Sequence, residues 1–128
     1  MNPSVGVTLD AGGLIAVDRG NRQMLAALAL IRQWSGTVTV PATALVQAMR
    51  SPSRQVRLIR LIRQTTTKIV DLNRADAIAV GRILARTRTS DLTDAHVVLS
   101  ARRAGQAVVT TDAADLRRLD PTLRLVEI

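Results

Sequence analysis

Runs of β-branched and apolar residues alternate with helix-period stretches along the whole chain. Residues 5–9, 37–40, 69–72, 107–111 and 123–128 read as strands. Between them, residues 24–34 place Leu25, Leu28 and Ile31 on one helical face, and Pro41 suits the first position of a helix over 41–50. Ser53 is placed to cap an amphipathic helix with Val56, Ile59 and Ile62 on its apolar side, and Asn73 to cap a helix over 74–86. Ala95, Val97, Val98, Leu99 and Ala101 then form an apolar-periodic run that opens on Asp91 and Asp94 and stops at Gly105. Shorter helical patterns follow Gly12-Gly13 and Asp112. The alternation predicts an α/β fold, a three-layer α/β/α sandwich around a mainly parallel sheet of about five strands. No linker or low-complexity tract divides it, so residues 1–128 read as a single domain.

Residues 89–115 stand out because four of the ten acidic residues, Asp91, Asp94, Asp112 and Asp115, fall there in two groups. The turn after the fourth strand repeats the turn after the first. Val7-Thr8-Leu9-Asp10-Ala11 matches Val109-Thr110-Thr111-Asp112-Ala113 in its apolar, Thr, Asp, Ala order. In open α/β sheets the carboxyl ends of the strands carry the sites. Two neighbouring strands would therefore bring Asp10 and Asp112 to one edge, with Asp91 and Asp94 at i, i+3 on one helix face. Each acid taken alone also suits a helix cap, and Asp115 suits a helix surface. Their coincidence is what points to chemistry.

Composition narrows that chemistry. There is no cysteine, and His96 is the single histidine, so thiolate metal sites and thiol nucleophiles are excluded. His96 lies in a helix pattern beside Asp94 and away from any serine elbow, which argues against a serine hydrolase. Two carboxylates about 4 Å apart repel by roughly 4 kcal/mol at an effective dielectric near 20, so a cluster of them calls for a cation. With oxygen donors alone the cation is hard, Mg²⁺ or Mn²⁺, holding several waters and one or two carboxylates. Such an ion activates water and clamps phosphoryl oxygens, as phosphodiester hydrolysis requires.

The charge balance supplies a matching partner. Eighteen basic residues against ten acids give a net charge of +8, which favours an anionic ligand. Arg54, Arg57, Arg60 and Arg63 recur every three residues as a candidate nucleic-acid face, or as a plain solvated one. Without Phe or Tyr, and with Trp34 alone, a grip on nucleic acid has to be electrostatic more than stacked. The longest apolar runs are interrupted by Arg or Asp, and Asp10 falls where a signal peptide would be apolar. No membrane segment is expected, and the expected location is the cytoplasm.

Asp10 after the first strand, Asp94-Ala95 opening a helix in SDLTDAHVVLSARRAG, and Thr110-Thr111-Asp112 after the next strand resemble the PIN-domain nucleases. Within them the chain is most similar to the VapC toxins of bacterial toxin-antitoxin pairs, in length and element order as well as motifs. The resemblance implies a Mg²⁺- or Mn²⁺-dependent ribonuclease, commonly a homodimer, silenced by a cognate antitoxin that covers the acidic site. The motifs it rests on mark Asp10, Asp94 and Asp112 as catalytic and metal-binding residues, and the acid cluster itself adds Asp91 as a further metal-binding acid, with Gln47, Thr110 and Asp115 as residues expected to support them. One position departs from the family pattern. Gln47, in VPATALVQAMR, stands where the family usually has Glu. An amide oxygen still accepts a hydrogen bond but brings no charge and no base.

Two functional classes follow. One is an active endoribonuclease toxin acting on RNA. The other is a PIN-like module that binds RNA or an antitoxin and cleaves poorly because of Gln47. A response-regulator receiver does not fit, since no Lys follows the fifth strand, and a D-x-D phosphatase is excluded by Gly12.

Overall fold

The computed structural model describes residues 5–128. Five strands, β1 (Gly6–Leu9), β2 (Thr37–Pro41), β3 (Thr67–Val70), β4 (Ala107–Thr110) and β5 (Leu125–Glu127), form one sheet in the order β3-β2-β1-β4-β5. Every pairing is parallel, so the sheet is wholly and not merely mainly parallel. Seven helices flank it among the described residues: α1 (Ala11–Asp18), α2 (Arg22–Gln33), α3 (Ala42–Ala48), α4 (Val56–Ile62), α5 (Arg74–Thr87), α6 (Leu92–Ala104) and α7 (Ala113–Leu119). Helices α1, α2 and α4 pack together, α5, α6 and α7 pack together, and α3 touches both α1 and α6. The result is the expected α/β/α sandwich.

The strand order places a topological switch beside β1. The chain runs outward through β2 and β3 and then returns to the other side of β1 as β4, leaving a crevice at the carboxyl ends of β1 and β4. The register sets Leu9 opposite Val109, so the residues that follow the two strands emerge side by side.

The core explains why these strands lie at the centre. Leu9, Val40, Val108 and Val109 bury on the sheet, and Leu14, Val97, Val98 and Leu116 close over it from the helices. Helix α6 buries Ala95, His96, Val97, Val98, Ser100 and Ala101, more than one stripe of its surface, because it lies against the sheet with α5, α3 and α7 around it. It ends on Gly105 in the left-handed region at φ 65°, a conformation that favours glycine.

Several boundaries differ from the sequence expectation. The third strand starts two residues earlier, at Thr67, because β3 is an edge strand and its Thr-Lys start tolerates water. Pro41 ends β2 and caps α3, which therefore begins at Ala42. Ser53 caps nothing. It sits in a 3₁₀ turn over Pro52–Arg54, and α4 begins after Gln55. The last strand shortens to Leu125–Glu127, since Asp120 turns the preceding residues by binding the Thr122 amide and hydroxyl.

Candidate active site

Asp10 leaves β1 as the N-cap of α1 and is 7% exposed. Its Oδ1 accepts the Gly13 amide at 2.7 Å, and its Oδ2 accepts the Thr110 hydroxyl at 2.5 Å. Thr110, fully buried at the end of β4, in turn accepts the Asp112 amide through Oγ1 at 3.0 Å. One threonine thus ties the two strand-end acids together across the β1–β4 seam. Asp112 caps α7 without a side-chain bond to its first turn, so its exposed carboxylate is uncommitted.

The opening of α6 faces the same crevice. Asp91 is its N-cap and accepts the Asp94 amide at 2.9 Å. Asp94 is half-buried, and burial together with the charges of Asp91, Asp10 and Asp115 pushes its carboxyl up to about 7. Burial also raises the Asp10 carboxyl, helped by the Asp112 charge and opposed by the bonds from Thr110 and Gly13. Asp94 thus feels the charges of Asp91, Asp10 and Asp115, and Asp10 feels that of Asp112. Asp115, exposed in the first turn of α7, lines a depression with Asp91, Asp94, Arg88 and Arg118. Even so, no three His, Asp or Glu side chains among the described residues converge into a ready-made ion cage.

Gln47 projects from α3 and is exposed. It lines a groove with Thr43, Ser90, Asp91 and Thr93, and none of Asp10, Thr110 and Asp112 lines that groove. His96 takes no part. It is fully buried, its Nδ1 lies 2.8 Å from the Thr43 hydroxyl, and burial lowers its pKa.

The arginine face divides. Arg54 lines a groove of about 640 Å³ that begins at Gly12 and Thr111, beside the acids, and that also holds Arg19 and Arg50. Arg57 and Arg60 instead line the groove between α2 and α4, and the Arg57 guanidinium donates to the Asp18 carbonyl at 3.3 Å. Arg63 is an exposed residue at the end of α4. Sequence reasoning missed Arg19 and Arg50, which share no period with Arg54, and Gln55, whose buried amide builds their wall. Nothing in the pattern marks a buried glutamine.

The family model for the PIN domain matches residues 7–120, from β1 to the end of α7, and spans all of these acids. The chain belongs to the PIN-domain family. Among solved structures, this PIN domain is similar to the crystal structure of VapBC2 from Rickettsia felis bound to a DNA fragment from their promoter. The TM-score is 0.71 at 14% identity, covering 95% of this chain and 98% of that chain, a likeness of fold. Comparison with curated proteins finds no match. Among the described residues of this PIN domain, no helix is long and apolar enough to cross a membrane.

Proposed function

We propose that the chain is a metal-dependent endoribonuclease, the VapC-type toxin of a toxin-antitoxin pair, with its centre at the switch between β1 and β4. The observation that carries this is the Asp10–Thr110–Asp112 junction at the strand ends, with Asp94 close enough to feel the Asp10 charge.

The donor chemistry fits a hard divalent cation, Mg²⁺ or Mn²⁺. All four candidates, Asp10, Asp91, Asp94 and Asp112, offer carboxylate oxygens, and the lone imidazole faces Thr43 instead. Because the acids do not form a closed cage, one or two direct carboxylates with retained waters is the arrangement they suit. Such an ion supplies charge for phosphoryl oxygens and lowers the pKa of water. The chain's own part is to hold the acids. Thr110 and Gly13 fix both oxygens of Asp10, leaving each with a further lone pair, while Asp112 is unbonded and available. Asp115 and Asp91 add negative charge around Asp94.

Cleavage of RNA with Mg²⁺ or Mn²⁺, abolished by Asp10→Asn and Asp112→Asn in folded protein, tests this reading. Failure of the wild type to cut any RNA with Mn²⁺ and without antitoxin would sink it. The resemblance to the VapC toxins supports a cognate antitoxin and a homodimer in the cytoplasm, and the likeness of fold to VapBC2 agrees with it. A second reading, a weakly cleaving RNA- or antitoxin-binding module, is favoured by one observation. Gln47 leaves the α3 wall of the site without charge.

A further inference from the structure

We infer that the groove bounded by Arg19, Arg50 and Arg54 seats the sugar-phosphate backbone of the single-stranded RNA flanking the cleaved bond. The cleaved bond rests on the proposed nuclease activity, while the groove's charge and lining stand apart from it. Three observations combine. The first is continuity: Gly12 and Thr111 form the groove's inner end, and they lie two residues after Asp10 and one before Asp112. The wall there is flush, since a Cβ on Gly12 would fall 2.3 Å from the Thr111 hydroxyl. The groove thus reaches the residues that adjoin Asp10 and Asp112 in the chain.

The second observation is charge. The groove holds three guanidinium groups against one acid, Asp18, and neither ion pair found among the described residues involves these arginines. Planar guanidinium forks match phosphate bidentately, and no aromatic side chain is present in the groove to stack a base.

The third is construction. Gln55, buried beneath the corner between α3 and α4, accepts the amides of Arg50 and Ser51 through Oε1, both at 2.9 Å, and donates to the Ala48 carbonyl at 2.8 Å. That clamp fixes the backbone carrying Arg50 and keeps Arg54 on the same wall. Lost rotamer freedom on binding is then confined to the side chains.

The test is binding of an end-labelled single-stranded RNA, by fluorescence anisotropy in EDTA across a salt series, so that no cleavage intervenes. The triple variant R19A/R50A/R54A is expected to weaken binding by roughly tenfold or more and to flatten the log–log salt slope by about 2, from about 0.7 per phosphate contact. R19K/R50K/R54K keeps the charge and is expected to recover most of the slope. Salt-dependent binding that fades in the alanine triple supports the groove even if no RNA is ever cut. Unchanged affinity and slope overturn it even if cleavage is robust. So does failure of a normally melting lysine triple to recover the slope. Loss of polyglutamate binding in the alanine triple, with RNA binding intact, also overturns it, since the groove is then a seat for an acidic protein.

Discussion

The Thr110 hydroxyl donates to Asp10 Oδ2 at 2.5 Å across the seam between β4 and β1, while its oxygen takes the Asp112 amide. Thr110→Val keeps the shape and removes both bonds. The Asp10 carboxyl then rises further, because the Thr110 bond is the main effect opposing its burial. A bond to a charged group contributes about 1.5–3 kcal/mol, and the orphaned Asp112 amide is close enough to the surface to find water. The expected outcome is a stability loss in that range by urea melts at neutral pH, with weaker Mn²⁺ binding by calorimetry. Unaltered metal affinity would remove Thr110 from the site.

The raised Asp94 carboxyl sets the sign of a pH dependence. Its folded pKa of about 7 lies above the ordinary 3.8, so its contribution to stability is intact below 3.8 and is lost as pH climbs through about 7. Asp10 is raised too and adds in the same direction. Metal-free protein should therefore melt at falling temperature over that window, and Asp94→Asn should flatten the decline. Excess Mg²⁺ or Mn²⁺ should oppose it by binding the folded state. Identical melts with EDTA and with metal would leave the acids as helix caps.

Gln47 separates an active site from a weakened one. Gln47→Glu is nearly isosteric on an exposed position and adds a charge beside Asp91. In an active nuclease it should tighten Mg²⁺ binding and raise cleavage on the order of tenfold, equivalent to about 1.4 kcal/mol at the transition state. It should also lower metal-free stability slightly through repulsion. A rate and metal affinity identical to wild type would place position 47 outside the chemistry.

Two glycines give opposite stability effects. A Cβ on Gly13 would fall 2.7 Å from the Val109 carbonyl and 3.4 Å from Asp10 Oδ1. Gly13→Ala should push α1 off the sheet, disturb the amide that Asp10 accepts, and cost about 1–3 kcal/mol as overpacking does. Gly81, in the middle of α5, has nothing within 4 Å of an added Cβ. Gly81→Ala should stabilise by about 0.4–1 kcal/mol without touching metal or RNA binding. Thermal melts read both.

The acids were legible in the sequence because the same Val-Thr-x-Asp-Ala device closes both β1 and β4, and a parallel sheet can bring two such ends together. The α6 start was legible from Asp91 and Asp94 ahead of an apolar run. What pattern could not supply were groups whose role is set by the partner across space. Gln106 is buried between strands, bonding the Thr8 and Thr37 hydroxyls, yet in the sequence it is only a polar residue after a glycine. Asp76 is buried against Arg103 across the α5–α6 contact, and nothing in its local sequence marks that partner 27 residues on. The start of β3 escaped for a different reason: an edge strand is only half dry, and its polar Thr67-Lys68 start looks like loop.

The return of the chain from β3 to the far side of β1 has a consequence for the order in which the protein comes into being. Asp10 is synthesised well before Asp112, with β2 and β3 between them, and the Thr110 bond joins the two strand ends only after β4 has docked. A nascent chain ending anywhere before β4 lacks Thr110 and Asp112 and cannot assemble the acid pair. An activity that needs both carboxylates is therefore silent until β4 and the turn after it have been made, and products truncated before them carry none of it.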